Sequence, residues 1–366
     1  MKCTIIGGGI QAVSTGILLE YVGHDTTLLS DVFAYLDGAN MRSVASNYAA
    51  ASVYPVDIES EYSDDELIHY AESTFEPFYK TAGVPVRKQT RFHLSEEAYD
   101  DVIPTRMAAH DISRYNHYLP SRGGESVRDG YICKEYFVEM PEYMPLLFQT
   151  YTRLGGTLKR RRVASDEISA LAGTVFNCSG YGSRTLFEDD SMRAIKGHLL
   201  MIPSDDVSPF PFSYNYTSAD HDSSVYMYSR RDAVLFGGSH LMGAITDGEW
   251  TGDSPISPMC IDDETFPARV YNVNADIMSS HITVNKKSLT ATHGYRPYRE
   301  AGLRLQMDTN GVIHNYGHGG AGVSLSWWSA LQAVGHIDTI NTSVLSSVAT
   351  AIGKTAQHQQ TSINQL

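Results

Sequence analysis

Residues 7–12 read Gly-Gly-Gly-Ile-Gln-Ala, which fits the G-x-G-x-x-G/A spacing by which backbone cradles a dinucleotide. Gly7 permits a tight turn after a strand, and Gly9 lets the chain approach a pyrophosphate closely. Ala12 is small enough for helix and strand to pack. The helix that follows turns its free N–H groups and positive end toward the phosphates, which brings the backbone of Ile10 and Gln11 into the candidate site. Asp31 lies 24 residues after Gly7, where a carboxylate can accept hydrogen bonds from ribose hydroxyls. The plainer alternative is a glycine turn with a solvated aspartate; strand, helix and acid together favour the dinucleotide. NAD and FAD are not yet distinguished.

Other chemistries are poorly represented. Cys3, Cys133, Cys178 and Cys260 lie far apart with no Cys-x-x-Cys pair, which suits reduced core thiols better than a disulfide framework or a metal site. Lys plus Arg total 28 against 42 for Asp plus Glu, a formal charge of −14. That balance argues against nucleic acid or an anionic membrane as the main partner. The basic run Lys159-Arg160-Arg161-Arg162 reads as a solvated strand edge. No apolar run approaches the length needed to span a bilayer, and the strand pattern begins directly after Met1-Lys2, leaving no room for a signal peptide.

The elements that must position these residues are legible in outline. The chain has 366 residues, enough for two to three domains or one large fold with two lobes. Residues 3–6 read as a buried strand, 11–21 as a helix and 26–29 as a second strand, the outline of a βαβ unit. Ser63 and Glu66 form a capping-box pattern ahead of a helix carrying Leu67, Ile68, Ala71, Phe75 and Phe78. Another helix is expected over 141–154, ended by Gly155-Gly156, and a strand over 174–177. Residues 223–238 and 283–304 are strand-rich, and the glycine-dense run 317–322 leads into a helix starting near Ser324. The polar end from Lys354 is expected to fray.

Three later segments separate the cofactors. Phe176-Asn177-Cys178-Ser179-Gly180 is a strand feeding a small-residue turn, and Gly294-Tyr295-Arg296-Pro297-Tyr298-Arg299 follows a Thr-rich stretch. The third is His314-Asn315-Tyr316-Gly317-His318-Gly319-Gly320-Ala321-Gly322. With these in order after the fingerprint, the chain resembles the D-amino acid oxidase family of FAD flavoenzymes, which includes D-aspartate oxidase and is related to glycine oxidase. The resemblance covers most of the chain and is sharp at the motifs.

The resemblance implies roles residue by residue. Arg296 holds the substrate α-carboxylate, as suits a planar guanidinium that stays charged. Tyr226 supports the same carboxylate, and the Gly320 carbonyl receives the amine. Gly317, Gly319, Gly320, Ala321, Gly322, Val323 and Ser324 line the flavin, with Ala50, Ala51 and Ser52 beside the isoalloxazine. Ser46 stands on the phosphate side, Val163 on the adenine side, and Ser179-Gly180 replaces a Thr-Gly turn. Arg299 and His318 are assigned to local structure. Tyr54, Asp222 and His240 are candidates for the substrate side chain: Asp222 stands where animal members carry a second tyrosine, and His240 where acid-selective members carry an arginine.

The implied fold is α/β, an FAD-binding Rossmann-like lobe with a parallel sheet plus a second lobe with a largely antiparallel sheet, interleaved in sequence. The expected boundaries are 1–55, 155–200 and 290–345 for the FAD-binding lobe and 56–154 and 201–289 for the substrate lobe, with 354–366 frayed. The implied reaction is oxidative deamination of a D-amino acid to the 2-oxo acid with dioxygen reduced to hydrogen peroxide, in the cytoplasm, without metal; a homodimer is left open. The alternative keeps the flavin but acts as a biosynthetic oxidase or dehydrogenase on a non-standard or cyclic amino acid. A third reading is a flavoprotein that has lost turnover and serves as a binding module.

Overall fold

A computed structural model describes residues 1–37, 44–55, 57–96, 110–111, 129–206, 208–219 and 224–363. The chain divides into two compact units, each assembled from separate segments. Met1–Arg87, Tyr136–Ala194 and Tyr295–Leu366 make the first; Lys88–Glu135 and Ile195–Gly294 make the second.

The first unit is built on a six-stranded sheet. Its strand β1 (Lys2–Ile6) runs parallel to β2 (Asp25–Ser30) on one side and β7 (Thr174–Asn177) on the other. Beyond β2 lies β6 (Thr157–Arg160), and beyond β7 lies β18 (Ile313–Tyr316), both parallel. The antiparallel β17 (Arg304–Met307) closes the far edge. Strand β1 is buried except for Lys2, as a parallel strand covered on both faces must be. The basic run begins on β6, an exposed edge strand, and continues just past it, with Arg160 paired to Asp37 and Arg161 to Glu167.

Helix α1 (Ile10–Tyr21) is apolar on nearly every side and packs between α3 (Met140–Leu154) and α6 (Ser326–Val334). Gly16 allows the closest approach, because a Cβ there would lie 2.8 Å from the Tyr151 ring and 2.9 Å from Leu28. Helix α2 (Asp64–Lys80) opens with the anticipated box: the Ser63 N–H donates to Glu66 Oε2 at 2.9 Å, and the Glu66 N–H donates back to Ser63 Oγ.

Two expectations need correction. Residues 57–87 and 136–154 belong with the first unit rather than the second lobe, and 195–200 and 290–294 with the second unit rather than the FAD-binding lobe. The cause is the apolar stripe of α2, where Phe78 stacks on Trp327 of α6 at 4.4 Å, while Trp327 Nε1 donates to the Tyr143 hydroxyl of α3 at 2.8 Å. The polar end does not fray at Lys354 either: α7 (Val344–Ile363) runs on to residue 363. Its residues Leu345, Val348, Ala349 and Ile352 are fully buried, and that stripe anchors the helix to α2 and α3.

The second unit carries a ten-stranded, mostly antiparallel sheet. Its order is β13 (Glu249–Gly252), β12 (Leu241–Thr246), β8 (Met192–Pro203), β11 (Ala233–Gly237), β10 (Val225–Ser229), β9 (Phe212–Thr217), β3 (Val86–Ser95), β5 (Asp129–Val138) and β4 (His110–Asp111). Strand β16 (Thr290–Arg299) pairs with β8, and β14 (Pro258–Ile261) with β15 (Glu264–Pro267) forms a separate hairpin. One face of the sheet is apolar: Phe92, Leu94, Tyr214, Tyr216, Val225, Met227 and Phe236 pack with Val270, Val273 and Ile277 of α5 (Arg269–Ile277). The short helix α4 (Ser183–Leu186) belongs to the first unit. Among the described residues no helix is long and apolar enough to cross a membrane.

Candidate functional site

The turn after β1 is held by backbone. Gly7 adopts φ +142°, and a Cβ there would lie 2.4 Å from the Cys178 carbonyl. Its N–H donates to Leu29 O at 2.9 Å, while Cys178 N–H donates to Ile6 O, so the glycine is wedged between β2 and β7. A Cβ on Gly8 would strike the Val32 carbonyl at 1.8 Å. Gly9 differs: among the described residues a Cβ there would meet only Ser46 Oγ at 3.2 Å and Val44 at 3.6 Å. Gly9 is also the N-cap of α1, with no side-chain cap and no acid in the first turn. The positive helix end is therefore not neutralised from within. Ser46 Oγ accepts from Ile10 N–H at 3.1 Å, which leaves its O–H to donate outward. Asp31 is exposed, one residue past β2.

The glycine run packs against this helix end. Gln11 Nε2 donates to the Gly322 carbonyl at 2.7 Å, and Gln11 Oε1 accepts from Ser329 Oγ at 3.0 Å. Gly319 to Ala321 form a short 3₁₀ turn, with Gly319 at φ +52° against Asp57. A Cβ on Gly319 would fall 1.8 Å from the Asp57 carbonyl, which accepts from Gly320 N–H at 3.1 Å. Ala321 and Val323 are buried, and Ser324 Oγ donates to Ser52 O at 3.2 Å. Ala51 is held at φ +70°, unusual for a residue with a Cβ, by Val138 N–H donating to its carbonyl. Ala50, Ser52 and Tyr54 are half-buried beside it.

Arg296 lies within β16, not in a turn, and an antiparallel bridge joins Tyr298 to His318. Its Nη1 stands 3.8 Å from Asp57 Oδ2, the same residue whose carbonyl holds Gly320. Arg299, on the opposite face of the strand, donates through Nε to Asp189 Oδ2 at 2.7 Å and through Nη1 to two backbone carbonyls. Its role is structural. Asp189 also accepts from the Tyr316 hydroxyl and Ser191; these partners outweigh burial and hold its carboxyl well below the usual carboxylate range.

Other predicted residues are placed less centrally. Ser179 Oγ donates to Asn177 Oδ1 at 2.7 Å and so belongs to its own turn, which Asn177, Ser183 and His314 complete. Gly180 has φ +55° and faces Pro297. Val163 is buried. His318 is fully buried with Nε2 lacking a partner among the described residues, and burial lowers its pKa to about 3. Its imidazole is therefore neutral.

In the second unit Tyr226 lies on the face opposite the apolar cluster. Its ring covers Gly237, where a Cβ would be 2.2 Å from the ring, which explains a glycine at that register position. Tyr214 and Tyr216, on the neighbouring β9, face the core instead: the Tyr214 hydroxyl donates to Asn274 Oδ1 at 2.7 Å. His240 is exposed, and Asp222 lies outside the described residues. Sequence reasoning missed Asp57, Arg91 and Asn215, none of which stands in a motif. It also missed two buried groups, His93–Cys133–Glu135 and His198–Glu264–His293, whose donor atoms gather within 4.8 Å.

A family model described as FAD dependent oxidoreductase matches residues 2–334. D-aspartate oxidase of Homo sapiens is 30% identical over 361 residues, covering 91% of this chain and 93% of the relative. D-amino-acid oxidase of Streptomyces coelicolor is 28% identical over 339 residues, covering 91% and 95%. Among solved structures, glycine oxidase from Geobacillus kaustophilus superposes with TM-score 0.65 at 15% identity over 92% of this chain and 95% of that one. The open side of Gly9, the uncapped α1 and the backbone turns at Gly7 and Gly319 fit a dinucleotide pressed against main chain. The chain belongs to the FAD-dependent oxidoreductase family of the amino acid oxidase type, and its cofactor is FAD.

Proposed function

We propose that the protein oxidatively deaminates a D-amino acid, consuming dioxygen and water and releasing the 2-oxo acid, ammonia and hydrogen peroxide. Bound FAD supplies the two-electron oxidation; the chain supplies binding and orientation. Arg296 takes the α-carboxylate and the Gly320 carbonyl accepts from the amine, with the Tyr226 hydroxyl donating to the same carboxylate. A backbone acceptor suits the amine because it cannot itself be protonated. Gly9, Ile10, Gln11, Ala12, Asp31 and Ser46 serve the nucleotide; Ala50, Ala51, Ser52 and residues 317–324 serve the ring, Val163 and Ser179-Gly180 its flanks. No side-chain base is assigned, in keeping with the neutral, enclosed His318. A cytoplasmic setting belongs to the same proposal.

The observation that carries this reading is the placing of Arg296 and Gly320 about one residue, Asp57, which contacts the first through its carboxylate and the second through its carbonyl. A guanidinium and a backbone acceptor held about one residue suit a zwitterion with adjacent acid and amine. The test is anaerobic: purified yellow protein is mixed with a panel of D- and L-amino acids and the flavin band is followed. Bleaching by simple D-amino acids is expected. Bleaching by L-amino acids or by a cyclic imino acid alone would overturn the D-selective assignment.

A further inference from the structure

Two groups of buried metal-ligating side chains stand outside the candidate site, and both belong to the second unit. In the larger-spaced one, His198, Glu264 and His293 are 1%, 7% and 3% exposed, and one donor atom from each lies within 4.8 Å of the others. The oxidase reading uses none of them. Gathering two imidazoles about a carboxylate away from water is costly unless the charge is balanced where it sits.

Three separate elements bring the group together. His198 is on β8 and His293 on β16, which pairs with β8, and the two rings are 5.8 Å apart. Glu264 opens β15, in the hairpin that forms a small sheet of its own. The turn of that hairpin is made by Asp262 and Asp263, both at positive φ, and the Asp262 carboxylate accepts from Ala291 N–H at 3.3 Å. This bond draws the hairpin to β16, where Glu264 Oε2 accepts from His293 Nδ1 at 2.6 Å. Ser239 Oγ accepts from the His198 backbone N–H at 2.6 Å and stands 2.9 Å from Nδ1 of the same residue. With its second lone pair receiving Nδ1–H, the hydroxyl fixes the tautomer in which Nε2 is the ligand atom.

The other group, His93, Cys133 and Glu135, is less suited to a cation. The Arg91 guanidinium stands beside it, with Nε 3.8 Å from Glu135 Oε2, and already supplies a fixed positive charge.

We infer that His198, Glu264 and His293 bind a divalent transition metal ion of the zinc class, which staples the β14–β15 hairpin to the main sheet. Two imidazoles and a carboxylate are a ligand set that such ions accept, with water completing the coordination. Metal bonds of about 2.0–2.2 Å set tetrahedral ligand atoms about 3.4 Å apart. The 2.6 Å contact between His293 and Glu264 therefore opens by less than about 1 Å. The metal takes Nδ1 of His293, whose proton moves to Nε2 and leaves the ring neutral. The ion enters as the hairpin folds onto the sheet, so it needs no channel through the finished fold. All the ligands belong to one unit, and the inference is independent of the substrate.

The test uses the holoenzyme, dialysed against a chelator and then titrated calorimetrically with zinc chloride. About one equivalent of Zn²⁺ is expected to bind saturably and to raise the melting temperature, the rise growing with metal concentration. Where the metal resists the chelator, a content of about one zinc per purified chain takes the place of the titration. His198→Gln and Glu264→Gln should each remove this binding, and Ser239→Ala should weaken it about tenfold or more. Cys133→Ser, in the other buried group, should leave it unchanged. Lack of saturable zinc binding by the stripped wild type would overturn the inference. So would wild-type affinity in both ligand variants, loss of binding in Cys133→Ser, or uptake of several equivalents with no change in melting, which would mark surface histidines only. If the ligand variants do not fold, Ser239→Ala decides beside the wild type, and unchanged affinity there would overturn the inference.

Discussion

Gln11 and Gly322 are 311 residues apart in sequence, yet the Gln11 Nε2 donates to the Gly322 carbonyl at 2.7 Å. One side chain thus ties the positive end of α1 to the glycine run that the family pattern places on the flavin. Its Oε1 is held in turn by Ser329 Oγ, so the amide is fixed at both ends. The two segments proposed to cradle the cofactor are one hydrogen-bonded object.

Removing that tie should loosen the cradle without dismantling the sheet. Gln11→Ala deprives the half-buried Gly322 carbonyl of this donor and leaves the Ser329 hydroxyl only its longer contact to the Ser326 carbonyl at 3.5 Å, at a cost of about 1–3 kcal/mol. FAD affinity, measured by recovery of flavin fluorescence on dilution, is expected to fall about tenfold or more. Retention of wild-type affinity would show that the glycine run holds its shape unaided.

The three fingerprint glycines should fail in different ways. Gly7→Ala forces a Cβ into the Cys178 carbonyl at 2.4 Å, at a φ that L residues avoid, and should yield little folded protein. Gly9→Ala has more room, since Ser46 Oγ at 3.2 Å is the nearest atom and can rotate. Cofactor-free Gly9→Ala should melt within a few degrees of the cofactor-free wild type but fail to take up FAD. Normal FAD uptake would contradict the close backbone approach assigned to Gly9.

Two buried histidines set an acid limit. Burial lowers His314 to about 4 and His318 to about 3, whereas an unfolded imidazole titrates near 6.5. Between these values the unfolded chain takes up protons that the folded chain refuses. Stability should therefore be fully present above about pH 6.5 and fall as pH drops toward 4, by about 1.4 kcal/mol per pH unit for each imidazole. Urea unfolding between pH 7.5 and 4.5 measures the slope. His318→Leu should reduce it; an unchanged slope would mean that the ring takes up a proton in the folded state.

How much of this could be read from residues alone depends on the range of the cause. The fingerprint and the run at 317–322 were legible because close main-chain approach demands glycine, and the capping box at Ser63 because its partners are three residues apart. The corrected boundaries were not legible: whether α2 and α3 join the first unit depends on Trp327 meeting Phe78 and Tyr143, contacts that span up to about 250 residues. The His198–Glu264–His293 group was invisible for the same reason. Its members are ordinary strand residues brought together by the pairing of β16 with β8 and the placing of the β14–β15 hairpin, which the intervening chain does not encode locally. Alternation did not by itself say that Tyr226 and Tyr214 point oppositely, since the pairing of β9 with β10 decides it.

The account turns on a guanidinium that anchors an acid, and the sharpest measurement is anaerobic flavin reduction by Arg296→Ala and Arg296→Lys beside the wild type. Loss of the anchor leaves the substrate carboxylate unpaired in a desolvated setting, about 2–5 kcal/mol. With the yellow colour retained, kcat/KM for a D-amino acid should fall by roughly thirtyfold or more in Arg296→Ala, with partial recovery in Arg296→Lys. A wild-type rate of bleaching by FAD-loaded Arg296→Ala at the same substrate concentrations would contradict it.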